Sequence, residues 1–132
     1  QVLPLAAERA MVAGFVADPL AEQAEFADGA LLRKYAGRAL LVTTGACAIH
    51  CRYCFRREFP YAEAAGSARL AAALASLAAD ASVSEVLLSG GDPLSLDDAA
   101  LAALLARLHD IPHLRRLRIH TRLPVVLPAR VT

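Results

Sequence analysis

Three cysteines, Cys47, Cys51 and Cys54, are the only ones in the chain, and they sit together in a C-x3-C-x2-C cluster. Sulfur is a soft ligand, and three thiolates can hold three irons of a [4Fe–4S] cube, a cluster bound through cysteine. The fourth iron then lacks a protein ligand and is open to a small molecule. A structural zinc site, with His50 as fourth ligand, is the competing reading. Zinc sites usually use paired C-x2-C elements, and His50 is the immediate neighbour of Cys51, an awkward placement for one tetrahedron.

Arg52, Arg56 and Arg57 crowd the same loop. Such a run is by default a solvated face. A guanidinium fork also suits a carboxylate, so beside a redox centre one of these arginines is expected to anchor an anionic substrate. Ser89-Gly90-Gly91-Asp92 follows the apolar run Val86-Leu87-Leu88. Glycines let a backbone approach a ligand closely, although an ordinary turn into a helix has the same composition. Further on, Arg118, His120 and Arg122 alternate with Leu117, Ile119 and Thr121. They either line a cavity or form the polar face of a strand.

The elements that would position these groups follow from periodicity. Residues 39–43, Ala-Leu-Leu-Val-Thr, form a short apolar run that suits a buried strand, with the cysteines directly after it. Leu70, Leu74 and Leu77 recur at helical spacing and predict a helix over 67–80. Residues 86–88 are a second strand. Ser95-Leu96-Asp97-Asp98 resembles a capping box that opens a helix with the stripe Leu101, Leu104, Leu105 and Leu108. Residues 116–122 alternate as a third strand. The order β-α-β-α-β predicts parallel strands with right-handed crossovers. Both motifs then lie at the strand ends where α/β folds place their chemistry. Residues 1–37 form an N-terminal segment, with a helical stretch expected over 5–16 and a turn at Asp18-Pro19. Residues 38–132 hold the regular units, and no closing helix is expected after them.

At 132 residues and 57% hydrophobic, the composition is that of one globular core. A net charge of +1 supports neither a nucleic-acid nor a membrane-surface role, and no apolar run reaches the roughly 20 residues of a membrane span. The odd number of clustered thiols points to a reducing compartment, hence the cytoplasm. The chain begins at Gln1, and its single methionine is Met11, so it is expected to be a piece of a longer protein.

The segment Cys47-Ala48-Ile49-His50-Cys51-Arg52-Tyr53-Cys54 closely resembles the signature of the radical S-adenosylmethionine (SAM) enzymes. The resemblance implies the start of a partial (β/α) barrel. It also implies a cluster whose open iron is chelated by SAM, which is cleaved to a 5′-deoxyadenosyl radical. It further implies that Tyr53 borders the adenine and that Ser89, Gly90, Gly91 and Asp92 border the SAM amino group.

Several stretches narrow the resemblance. They are Asp18-Pro19-Leu20-Ala21-Glu22, Lys34-Tyr35-Ala36-Gly37-Arg38, Cys51 to Arg57, Ser89 to Leu94, and Arg118 to Arg122 with the residues that follow. In order and spacing they resemble the lysine 2,3-aminomutase family, isomerases that hold lysine as an aldimine of pyridoxal phosphate and move its nitrogen from the α- to the β-carbon. The resemblance implies that Arg56 pairs with the substrate carboxylate, that Tyr35 and Arg38 lie near pyridoxal phosphate, and that an electron donor is needed. Tyr53 and Phe55 stand where ordinary members have His and Thr. That departure resembles the branch making (R)-β-lysine for elongation factor P, which implies an indirect link to that factor and its ligase. The only lysine is Lys34. It lies upstream of the first predicted strand, so the lysine that anchors pyridoxal phosphate and the acids that grip the substrate ammonium are expected outside this chain. Alone, the 132 residues are expected to be inactive.

Overall fold

The computed structural model describes residues 5–23, 30–64 and 66–131. Among them a four-stranded sheet runs in the order β1 (Leu31–Tyr35), β2 (Arg38–Thr44), β3 (Glu85–Gly90) and β4 (Arg116–Ile119). β2, β3 and β4 are parallel, and β1 is antiparallel to β2. Helix α1 (Tyr61–Ala64) and helix α2 (Ser67–Ala79) connect β2 to β3; helix α3 (Asp98–His109) connects β3 to β4, and helix α4 (Leu123–Val126) follows. The expected parallel β-α-β-α-β order holds, and the arrangement is that of a partial (β/α) barrel.

The two faces of the sheet differ. Ala39, Leu41, Val86 and Leu88 share one face and are at most 1% exposed, packed with Leu74, Leu77, Leu104 and Leu108 of α2 and α3. Each such leucine contributes about 1.5–3 kcal/mol by leaving water. By the pairing register, Arg38, Glu85 and Arg116 form one row of the opposite face, followed by Leu40, Leu87 and Arg118. This second face is largely polar.

Several expectations are corrected. β1 lies inside the N-terminal segment, where no strand was expected: its Leu31-Leu32 end is buried, but Arg33-Lys34-Tyr35 hides the alternation. Gly37, at φ 75°, permits the two-residue turn into β2. The helix expected over 5–16 is only a 3-10 turn, Ala6–Arg9. Met11, Val12, Phe15 and Val16 are exposed there, and helices this short depend on packing an apolar face. Helix α3 is capped by Asp97, whose Oδ1 accepts from Ala100 N at 2.7 Å, and not by Ser95. Ser95 already belongs to the 3-10 turn Pro93–Ser95, which is capped by Asp92. Strand β4 stops at Ile119 rather than residue 122 because Asp92 captures Thr121 Oγ1 and the amides of Arg122 and Leu123. One helical turn, α4, and the 3-10 turn Pro128–Arg130 then follow, where no closing helix was expected. The turn at Asp18-Pro19 is present, with Ala21 N donating to Asp18 O at 3.2 Å. Residues 1–4 and 24–29 of the N-terminal segment lie outside the described residues. Among the described residues no helix is long and apolar enough to cross a membrane.

Candidate functional site

The cysteine loop leaves β2 after Thr44 and is seated on the end of β3. Gly91 N donates to Thr44 O at 2.7 Å, and Asp92 N donates to Ala46 O at 2.8 Å. A Cβ on Gly91 would stand 2.2 Å from Ala46 O, and one on Gly90 2.7 Å from Thr44 O. Gly90 also has φ 109°, open to few other residues. The close approach these glycines permit is thus an approach to the chain's own thiol loop. Tyr61 holds the pair from the side, its hydroxyl donating to Gly90 O at 2.7 Å. Burial pushes the Tyr61 phenol up to about 12, so it stays a donor at neutral pH.

Asp92 is the brace beneath the loop. Its carboxylate is buried and accepts four hydrogen bonds, from Leu94 N at 3.0 Å, Thr121 Oγ1 at 2.6 Å, Arg122 N at 2.8 Å and Leu123 N at 3.1 Å. Arg122 reaches up from there. Its Nη1 donates to Cys51 Sγ at 3.2 Å and to Tyr53 Oη at 2.5 Å. The hydrogen bond to Cys51, with the Tyr53 and Cys51 charges behind it, raises the Arg122 pKa above its ordinary value.

All three thiols are free and half-buried. Burial pushes the Cys47 thiol up, and the Asp92 carboxylate and the other two sulfurs push it further. Cys51 and Cys54 thus lie near enough to Cys47 to disfavour its thiolate, and a cationic centre would relieve that repulsion. Among the described residues no three His, Cys, Asp or Glu side chains converge on one point as the ligands of a single ion would. A [4Fe–4S] cube asks for three sulfurs set more widely apart around one cluster, each on its own iron, rather than at one point. Three soft, free sulfurs on one loop fit such a cube.

The arginines of the loop divide. Arg52 and Arg57 pair with Glu8 of the N-terminal turn, at 2.5 and 3.9 Å. Arg56 turns inward and is buried. Its Nε and Nη2 donate to both oxygens of Glu22, at 2.6 and 2.7 Å, and its Nη1 donates to Ser89 Oγ at 3.2 Å. Ala21, at φ 52°, adopts a left-handed conformation costing roughly 1–2 kcal/mol, and it delivers Glu22 to this position. Asp18 steadies the turn by accepting from the amides of Glu22 and Gln23.

Arg56 opens onto a cavity of about 460 Å³ that is also lined by Glu22, Tyr35, Arg38, Ser89 and His120. Toward the starts of the parallel strands, buried Glu85 accepts from Arg116 and Arg118 at 3.1 and 2.5 Å, with Arg38 at 3.5 Å. Burial alone would raise the Glu85 pKa; the two arginine hydrogen bonds, with the charges of Arg118 and Arg38, outweigh it and hold the pKa below the ordinary value. Three guanidiniums share one carboxylate, so positive charge is left over, and the donor set fits an anion such as a phosphate.

The structure thus gathers Tyr35, Arg38, Arg56 and Ser89 around one cavity, and Cys51, Tyr53 and Arg122 in a separate contact group that does not line it. His50 is exposed and lies beside Cys51 in an open cleft on the outer side of the loop. Lys34 donates to the Leu20 carbonyl. Sequence reasoning missed Glu22, Glu85 and Tyr61. Glu85 carried a signal, as an acid opening an otherwise apolar strand. Glu22 stood in the stretch Asp18–Glu22 that carries the family resemblance, without a role attached to it, and Tyr61 carried no signal that separates it from a surface residue.

Residues 41–130 match the Radical SAM superfamily. The chain belongs to that superfamily, whose members are built around a [4Fe–4S] cluster and SAM. It is similar over its whole length to the L-lysine 2,3-aminomutase of Escherichia coli (strain K12), at 52% identity over 133 residues. The L-lysine 2,3-aminomutase of Haemophilus influenzae is 52% identical over 120 residues, 90% of this chain. That of Clostridium subterminale is 37% identical over 134 residues, again the whole chain. The chain spans 39%, 36% and 32% of the lengths of these relatives.

Proposed function

We propose that this chain supplies the cluster-binding part of an isomerase that converts L-lysine to β-lysine. When bound, the cluster and SAM would supply a carbon-centred radical, and pyridoxal phosphate a conjugated π-system able to carry the unpaired electron while the nitrogen moves. Cys47, Cys51 and Cys54 hold the cluster. Tyr53 and the Ser89–Asp92 turn border SAM, with backbone rather than the Asp92 carboxylate available to it. Tyr35 and Arg38 face the phosphate of pyridoxal phosphate. Arg56 binds the lysine carboxylate; three of the five N–H donors of its guanidinium are engaged by Glu22 and Ser89, and two remain for the substrate.

One observation carries the reading: Arg56, Tyr35, Arg38 and Ser89, singled out for carboxylate, phosphate and nucleotide, line a single cavity, which Phe55 and Arg56 join to the end of the thiol loop at Cys54. The identity to the Escherichia coli and Haemophilus influenzae proteins exceeds that to the clostridial one. Tyr53 and Phe55, standing where ordinary members of the family have His and Thr, support the branch that makes (R)-β-lysine for elongation factor P; such an enzyme would work in the cytoplasm with an external electron donor. The chain's one lysine, Lys34, lines this cavity and donates to the Leu20 carbonyl, but the resemblance gives the pyridoxal phosphate anchor to a different lysine, so we infer that the 132 residues alone would not turn over lysine.

The test is the complete protein, reconstituted anaerobically, reduced with dithionite and given SAM, pyridoxal phosphate and L-lysine. The expected products are 5′-deoxyadenosine and β-lysine, identified by mass spectrometry. 5′-Deoxyadenosine without β-lysine would overturn the substrate. An iron cluster indifferent to SAM would make the protein an electron carrier, and tight zinc without iron a structural module.

A further inference from the structure

The arginines around the thiol loop are not equivalent in charge. Arg52 and Arg57 face Glu8, and Arg56 is gripped by Glu22. Among the described residues Arg122 has no carboxylate at its guanidinium; its contacts are Cys51 Sγ at 3.2 Å, Tyr53 Oη at 2.5 Å and the Tyr53 ring, whose centroid lies 5.3 Å away. Its positive charge is directed at the sulfur without a neutralising partner. Its backbone is fixed as well: Asp92 Oδ2 accepts from the Arg122 amide at 2.8 Å, and the next residue, Leu123, is buried and bound to the same oxygen. A buried carboxylate at the end of β3 thus holds the base of a cation whose tip touches the loop at two residues.

We propose that Arg122 is a positioning residue for the metal centre: braced by Asp92, it donates to the Cys51 thiolate and raises the cluster's reduction potential. The physical reason is charge. Adding one electron makes a thiolate-ligated cluster more negative, so a cationic donor on a ligand sulfur stabilises the reduced form more than the oxidised one. The same contacts orient Tyr53, one of the residues that border SAM in the proposed function. The inference rests on that reading only as far as the cluster; it does not depend on lysine being the substrate.

The experiment uses the complete protein, reconstituted anaerobically, without SAM or lysine. Iron and sulfide are quantified, and the midpoint potential is measured by a mediated dithionite titration read by electron paramagnetic resonance. Arg122→Gln with full iron content is expected to shift the one-electron equilibrium about tenfold toward the oxidised cluster, about 59 mV; Arg122→Lys, which keeps a cation, is expected to shift it less. An unchanged midpoint in iron-replete Arg122→Gln overturns the proposal. A second measurement needs no variant. In the reduced wild-type cluster, electron–nuclear double resonance with arginine isotopically labelled at its side-chain nitrogens is expected to show a nitrogen coupling, and its absence overturns the proposal equally. A wild-type protein that holds no iron overturns the cluster assignment itself, an outcome distinct from either of these.

Discussion

At the C-terminal ends of β2 and β3 the chain sets three free sulfurs on a loop with few bonds of its own. At the N-terminal ends of the same strands it sets one buried carboxylate among three guanidiniums. The first region is soft and held from outside, by Gly91, Asp92, Tyr61 and Arg122. The second is hard and held from within, by the Glu85 ion pairs. The parallel sheet keeps the two kinds of chemistry apart, and Arg56 stands between them on the cavity wall. If the two regions carry the metal chemistry and anion recognition proposed for them, substitutions in each should disable one without the other in the complete protein.

The largest effect is expected at the thiols. Cys51→Ala should abolish the reconstituted cluster absorbance and most bound iron while circular dichroism stays native, because the sulfur is half-exposed and outside the core. Next is Glu22→Gln, which strands the buried Arg56 guanidinium. Breaking a buried pair on one side costs about 3–5 kcal/mol, so urea denaturation should show a loss of that order with the thiol loop still able to load iron. Gly91→Ala should come third: its Cβ would press on Ala46 O, and overpacking costs roughly 1–3 kcal/mol. Here stability and iron content should fall together, since the clash lies against the loop itself.

Glu85 gives a smaller, pH-dependent signature. Its folded pKa is held below the unfolded value, so its contribution is present above the ordinary value of 4.5 and is lost as pH falls through the folded one. Glu85→Gln should flatten that acid limb of a stability–pH curve and leave the cluster absorbance unchanged. The smallest effect is Tyr61→Phe, which removes one hydrogen bond to Gly90 O and should cost about 1 kcal/mol. A clear loss of iron in Glu85→Gln would break the separation of the two regions.

The positions of the cysteines, the glycine turn and the leucine stripes were legible because each rests on local spacing. Leu74, Leu77, Leu104 and Leu108 are buried as the helical period requires. What failed was long-range. The end of β4 is decided by Asp92, about thirty residues upstream, and β1 exists because its backbone pairs with β2. Arg56 was singled out as a carboxylate binder, but that Glu22 occupies one side of its fork depends on a left-handed turn at Ala21 that no motif announces. That Gly90 and Gly91 also pack against the cysteine loop is a tertiary fact of the same kind.

The central claim is that the thiols of Cys47, Cys51 and Cys54 leave one iron open to SAM. The direct measurement is the electron paramagnetic resonance spectrum of the reduced, anaerobically reconstituted complete protein, recorded with and without SAM. A spectrum altered by SAM is expected. A spectrum that SAM leaves untouched, in protein with full iron and sulfide, would contradict the claim.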